Sequence, residues 1–351
     1  MGCPELRTLI DWVKSGRPPR PESEQAAKGL VEEATRQRVA PLLYAAVTRD
    51  SGGWPAASIE GLRERYHSAF ARGARQLDLA ARLMGAFERA GLRVLPLKGV
   101  ALAASAYDSV AERPMGDIDL LALDDWNASV RLLEDAGLVE GARADHAWSF
   151  HDPHGQVVEL HHSVTSCPGL YPVDAEGLWR RREQTPAAPV AWRPAAEDLL
   201  VQLAVHAAFQ HALMLTVVQY LDFRRVSERA SISGPRLRAA VETAMAGPAV
   251  AASFVVADSV VGLPLAAGEG WPRSELPPRL ERWLTQGLSE PAAFLLQPPP
   301  LIRLRWELSR GRRWAFIEGT CAPATPGQEL DHWQQARRVL ARTSGLLRRW
   351  L

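Results

Sequence analysis

The residues able to do chemistry crowd into one stretch of this chain: Lys98-Gly99, Arg113, Asp117-Ile118-Asp119 and Glu159. Asp117-Ile118-Asp119-Leu120-Leu121-Ala122-Leu123 reads as a strand. Residues i and i+2 of a strand share a face, so Asp117 and Asp119 project side by side while Ile118 and Leu120 turn to the core. Two like charges roughly 6 Å apart repel by about 3 kcal/mol at an effective dielectric near 20. Stability alone would not select that pair in an apolar strand. A divalent cation turns the repulsion into binding, and hard Mg²⁺ takes a few carboxylate oxygens together with waters and substrate phosphates. A lone Asp-x-Asp says little, because surface Asp pairs are common. Glu159 adds to it. In Val157-Val158-Glu159-Leu160-His161 the alternation puts Val157, Glu159 and His161 on one face and Val158 and Leu160 on the other. An acid inside an apolar strand is costly unless paired or metal-bound. If the two strands adjoin, three carboxylates meet.

A polyphosphate site is expected beside them. Val94-Leu95-Pro96-Leu97 reads as a short strand that runs into Lys98-Gly99 and then a helix from Val100 to about Tyr107. The free N–H groups at a helix start attract anions, and Gly99 allows close backbone approach. Lys98 would supply a point charge and Arg113 a fork. The plainer alternatives are a solvated strand end for Lys98 and a salt bridge to Glu112 or Asp117 for Arg113. His161 either orients a carboxylate or touches phosphate, or else is a satisfied core histidine. His206 and His211, five apart on an expected helix, are badly spaced for shared metal ligation, and His206 reads as structural or else as lining the cleft. Asp222-Phe223-Arg224-Arg225 reads as a helix-surface ion pair in preference to a wall of the substrate groove. His146, His151 and His154 fall at turn or surface positions.

The elements around this stretch divide the chain into four. Residues 1–91 read as an N-terminal helical region, interrupted at Arg17-Pro18-Pro19-Arg20-Pro21 and ending in a long amphipathic helix over 58–90 that Gly91 stops. Residues 92–165 form a small α/β unit with a helix over Asp125–Ala136. It ends in a hairpin, Ala147–His151 and Val157–Ser163, joined by Asp152-Pro153-His154-Gly155. Residues 166–194 are Pro-rich and irregular. Residues 195–351 are helical again, over 195–230, 235–262, 277–295 and 330–350, with Pro-Pro-Pro at 298–300 as a linker.

Composition narrows the class. With 351 residues, 47% hydrophobic and 23% charged, the chain is an ordinary globular protein and not a disordered or fibrous one. Cys3, Cys167 and Cys321 are too few and too scattered for a disulfide framework, which fits a reducing cytoplasm. The net charge of +1 gives no strong field for nucleic acid. Only Lys14, Lys28 and Lys98 are lysines among 41 basic residues, a bias of GC-rich bacterial coding that makes Lys98 conspicuous. The last fifty residues carry an excess of Arg, read as a solvated or partner-facing helix in preference to a nucleic-acid contact. The longest apolar stretch, Ala249–Ala267, holds Asp258, Gly262 and Pro264 and reads as a buried helix, not a membrane span.

Leu97-Lys98-Gly99, Tyr107, Arg113, Asp117-Ile118-Asp119-Leu120-Leu121 and Glu159-Leu160-His161 resemble the bacterial "uncharacterised nucleotidyltransferase" family of the polymerase-beta-like nucleotidyltransferase superfamily. The resemblance is most specific over 94–162. It extends more loosely over Ala204–Arg225, where His206 and Asp222 match. Lys98-Gly99 stands where many superfamily members carry Gly-Ser or Gly-Gly. The resemblance implies an α+β fold, a small mixed-sheet nucleotidyltransferase core flanked by helical regions. It implies that Asp117 and Asp119 hold two Mg²⁺ ions, or Mn²⁺ in their place, together with a nucleoside triphosphate. Glu159 would bind the catalytic metal and help activate an acceptor hydroxyl. Lys98, Gly99, Arg113 and His161 would contact the nucleotide. The expected activity is Mg²⁺-dependent transfer of a nucleoside monophosphate to an unidentified acceptor, a small molecule, peptide or protein, with loss of pyrophosphate. The resemblance also suggests a peptide natural product as that acceptor. Two rivals stand beside it: a toxin-like enzyme modifying tRNA, and a non-catalytic nucleotide-binding module that kept the fold.

Overall fold

The computed structural model describes residues 3–50, 52–144, 146–165, 167–185, 190–265, 275–297, 301–314 and 316. The helix expected at 330–350, the 298–300 linker, Cys321 and most of the basic C-terminal segment lie outside the described residues.

Four helices come first: α1 (Pro4–Ser15), α2 (Glu24–Arg36), α3 (Ala40–Val47) and the long α4 (Ala56–Arg89). Ser23 caps α2 by accepting from Ala26 N–H, as the Ser-Glu start suggests. Gly91, at φ +70°, lets Leu92 N–H return to Phe87 O and so stops α4.

Then comes a five-stranded mixed sheet. Its strands are β1 (Val94–Pro96), β2 (Ile118–Ala122), β3 (Val139–Arg143), β4 (Ala147–His151) and β5 (Val157–His161), in the order β1-β2-β5-β4-β3. Among the described strands of this sheet only β2 and β5 run parallel. The fold is α+β, as expected. Between β1 and β2 lies α5 (Lys98–Ala103), six residues long and shorter than the helix anticipated there. Helix α6 (Trp126–Asp135) follows β2, capped by Asp125. In the β4–β5 turn, Asp152 Oδ1 accepts from His154 and Gln156 N–H, and Gly155 takes φ +77°.

One face of the sheet is apolar. Ile118, Leu120, Val158, Leu160 and Phe150 are fully buried there, in one core with Leu83 and Phe87 of α4 and Val130 and Leu133 of α6. The opposite face carries Asp119, Glu159 and His161.

Residues 166–194 are less irregular than their prolines suggest. They form α7 (Ala175–Arg181) and a two-stranded ribbon of β6 (Glu183–Gln184) and β7 (Trp192–Arg193). The helix anticipated over 195–230 is broken. Helix α8 (Ala196–Val205), buried throughout, passes into a π turn (His206–Gln210), and α9 (Val217–Arg229) restarts at Thr216. Next come α10 (Gly234–Thr243), α11 (Gly247–Val261), α12 (Pro278–Gly287), α13 (Pro291–Leu296) and α14 (Leu301–Leu308). Helix α11 is the buried helix expected within Ala249–Ala267. No described helix is long and apolar enough to cross a membrane.

Helices α1–α3 share one hydrophobic core with α8–α14: Leu6, Leu9 and Leu43 belong to the same buried cluster as Leu199, Phe223 and Val260. Polar contacts reinforce the junction. Arg224 Nη1 donates to Val13 O and Val261 O at 2.7 and 2.9 Å. The helical body and the sheet meet at a buried pair. Asp222 of α9, fully buried and not on the helix surface as its charged neighbours suggested, accepts from Arg113 Nε and Tyr107 Oη, both at 2.7 Å.

Asp222→Ala would leave the Arg113 guanidinium buried without its counter-ion, a loss of about 3–5 kcal/mol. Thermal melting should show a large drop for that variant, while Arg113→Met/Asp222→Leu should recover most of it. Equal melting of wild type and Asp222→Ala would refute the pairing.

Candidate active site

The parallel register of β2 and β5 sets Asp119 opposite Glu159 and Leu121 opposite His161. One oxygen each from Asp119 and Glu159 and one ring nitrogen of His161 fall within 4.8 Å of one another, a grouping able to hold a metal ion. His161 Nε2 is 2.8 Å from Asp119 Oδ1 and 3.4 Å from Glu159 Oε2. Lys98 Nζ reaches the same Asp119 Oδ1 at 2.9 Å. Strand β2 begins at Ile118, so Asp117 stands just before it, delivered by the loop and not by the strand pleat. It still lines the same cleft as Asp119 and Glu159.

That cleft, of about 540 Å³, also takes in Arg38, Gly99, Arg113, His146, His206, Gln210, His211 and Gln219. Lys98 sits at its edge in a left-handed backbone conformation, φ +41°, which costs a non-glycine residue about 1 kcal/mol or more. It is neither a solvated strand end nor a free charge, because its ammonium is bound to Asp119. Gly99 is buried. A Cβ at this position would come 2.9 Å from Met115 Cγ, so its missing side chain makes room for Met115. Arg113 lines the cleft but pairs with Asp222, not with Glu112 or Asp117, and its Nη1 donates to Pro114 O at 2.9 Å.

The charges are balanced locally. Burial opposes ionisation of Asp119, yet Lys98 and His161 outweigh it and hold the carboxyl far below the usual range. The hydrogen bond from His161 lowers Glu159 as well. For His161, burial and then Lys98 oppose the imidazolium, but Asp119 and Glu159 prevail and raise its pKa. Asp117 has no side-chain hydrogen bond or ion pair among the described residues, and Lys98 and His161 offset its surroundings only at a distance. Burial first, then the negative charge of Asp119 and Glu159, push it up to about 6. The carboxylates suit a hard divalent cation, while His161 Nε2, turned to Asp119 at 2.8 Å, orients that carboxylate and gives a metal no lone pair while it is protonated. The donor set therefore fits a cation such as Mg²⁺ or Mn²⁺.

Across the cleft, three histidines lie closer than the sequence implied. The π turn brings residues five apart into line, so the His206 and His211 rings stack edge to face with centroids 4.4 Å apart. Both line the cleft. Arg305 of α14 holds this turn, giving Nε to Phe209 O at 2.7 Å and Nη2 to Gln210 Oε1 at 3.2 Å. Gln210 Nε2 then donates to His146 Nε2 at 3.1 Å. His146 thus belongs to the cleft and not to a surface turn. Burial, and next His161, lower His146 to about 4; burial, and next Lys98, push His206 well below 6.5. Both are neutral near pH 7. Sequence reasoning missed Arg38, Gln210 and Gln219 altogether, since none lies near the acidic motif.

A family model described as "Uncharacterised nucleotidyltransferase" matches residues 23–262, more than half of the chain. No curated protein matches.

A cation bound here must compete with protons on Asp117. Mn²⁺ should bind about tenfold more weakly, or worse, at pH 5 than at pH 7.5, as read by calorimetry or Mn²⁺ resonance spectroscopy. Asp117→Asn should shrink that dependence, and Glu159→Gln should weaken binding at both pH values. Affinity that ignores pH and both substitutions would remove the metal site.

Proposed function

The chain belongs to the uncharacterised nucleotidyltransferase family, and from that premise we propose that it moves a nucleoside monophosphate from a nucleoside triphosphate to an acceptor hydroxyl. Pyrophosphate leaves in the same step. The observation that carries this reading is the register that faces Asp119 with Glu159, with Asp117 beside them in one cleft.

Asp117, Asp119 and Glu159 would hold the divalent cations, with His161 beside them. Two such ions, when bound, would neutralise developing charge on the attacking and leaving oxygens at the α-phosphorus. Glu159 has the more open carboxylate, 34% exposed against 4% for Asp119. It is the group placed to accept the acceptor's proton as the new O–P bond forms and the bond to pyrophosphate breaks. Asp119 is screened from solvent, and its two cationic neighbours keep it ionised at any working pH. Lys98, Gly99 and Arg113 line the same cleft and would contact the nucleotide. The cleft volume lies in the range of small-molecule sites, which suits a nucleotide with a small molecule or a peptide or protein side chain as acceptor.

Incubation with α-³²P-labelled NTPs and an acceptor panel or cell extract should yield a labelled product and one pyrophosphate per transfer. Asp117→Ala and Asp119→Ala should reduce labelling to background while circular dichroism shows the fold retained. Label arriving from the γ-position, or labelling unaffected by both variants, would sink the proposal.

A further inference from the structure

Among the described residues, three side chains that line the cleft carry permanent or near-permanent positive charge: Arg38, Lys98 and Arg113. Two are engaged. Lys98 is bound to Asp119 at 2.9 Å, and Arg113, 7% exposed, is bound to the fully buried Asp222 at 2.7 Å. The Arg38 guanidinium has no hydrogen-bond or ion-pair partner among the described residues, and the residue is exposed.

Arg38 nevertheless sits on a fixed support. It lies in the turn between α2 and α3, with φ +58°, and its N–H bonds Thr35 O at 3.1 Å. The preceding residue pins this turn to the start of α9. Gln37 Oε1 accepts from Val217 N–H at 3.1 Å, Gln37 O accepts from Val218 N–H at 3.3 Å, and Gln37 Nε2 donates to Glu33 Oε1 at 2.8 Å. The guanidinium stands beside Gly116: a Cβ on that glycine would lie 3.9 and 4.0 Å from Arg38 Nη1 and Nη2. Residue 116 immediately precedes Asp117. A guanidinium without a hydrogen bond or ion pair among the described residues is thus held at the border of the acidic cluster, on a backbone whose left-handed conformation costs an arginine about 1 kcal/mol.

We infer that Arg38 binds the β- and γ-phosphates of the nucleoside triphosphate. The inference rests on the nucleotidyltransferase reading and deepens it. A guanidinium offers two parallel donors to a phosphate and keeps its charge at every working pH. The β- and γ-phosphates carry most of the substrate's negative charge and depart as pyrophosphate. They need a cation that is not already neutralised by the protein, and among the described cleft residues Arg38 meets that need. Because Arg38 belongs to the helical body and the acids to the sheet, the triphosphate would bridge the two.

The test measures binding of each of the four Mg²⁺–NTPs, the matching monophosphates, and Mn²⁺ alone, to wild type, Arg38→Ala and Arg38→Lys. Arg38→Ala should weaken the NTP that the wild type binds by roughly 10- to 100-fold, the loss of a charge-assisted pair. Arg38→Lys should restore part of it. Mn²⁺ and monophosphate affinity should stay within twofold. NTP binding by Arg38→Ala within twofold of wild type would overturn the inference. So would an equal loss for NTP, monophosphate and Mn²⁺, which marks a structural role. A wild type that binds none of the four NTPs overturns it too, but that failure belongs to the underlying reading and is seen without any variant.

Discussion

Parallel pairing of β2 with β5 forces the Asp119 and Glu159 carboxylates together, and the rest of the cleft is a response to that constraint. The apolar face of the same two strands pins the register. A slip of one residue would bring Ile118, Leu120, Val158 and Leu160 out of the core on one strand or the other. Exposing the two aliphatic side chains of either strand would cost about 3–6 kcal/mol, taking about 1.5–3 kcal/mol for each buried residue. Repulsion between two carboxylates in such a setting is worth about 3 kcal/mol before any cation offsets it. Hydrophobic burial behind the sheet therefore sets the position of the charges in front of it.

The two resident cations remove most of the repulsion that is left. Lys98 and His161 Nε2 converge on one oxygen of Asp119, and His161 also leans on Glu159. Lys98, together with His161 whose pKa these acids raise, offsets much of the negative charge of Asp119 and Glu159. Asp117, outside this arrangement, is the carboxyl whose pKa rises. The ion pair with Asp119 helps explain why Lys98 tolerates a left-handed backbone, since a buried charged hydrogen bond is worth more than the strain of about 1 kcal/mol.

Local patterns made much of this legible in the sequence. The two-residue alternation of Asp117–Leu123 and Val157–His161 predicts strands with acids on one face, and Asp-Pro-His-Gly predicts the hairpin turn. Neither pattern says that β2 and β5 are neighbours, and the hairpin fixes β5 only against β4. The errors share a physical cause. The charged neighbours Arg224 and Arg225 suggest an exposed Asp222, but its own partner, Arg113, lies more than a hundred positions earlier. The His206–His211 spacing is unsuitable on an α-helix, but a π turn bonds residue i to i+5 and brings the two rings together. Arg38 carried no local signature. Its place depends on α2, α3 and α9 meeting, a long-range fact. The common core of α1–α3 and α8–α14 is hidden for the same reason: contacts between the two ends of a chain leave no periodicity in either.

The position of Asp117 illustrates how such long-range contacts govern chemistry. The sheet does not fix this residue, which lies one position before β2. The loop that carries it is anchored four residues upstream, where Arg113 binds Asp222 of α9 and folds its Nη1 back to Pro114 O. Tyr107, near the start of that loop, shares the same Asp222 oxygen. Helix α9 is in turn fixed at its first turn by Gln37, the neighbour of Arg38. A buried ion pair is a poor source of stability compared with well-packed hydrophobic residues, so a role in orientation accounts for it better. It ties the loop bearing Asp117 to the helix that also anchors the turn bearing Arg38. The third acid and the unpaired arginine, 79 residues apart, are thereby referred to one frame.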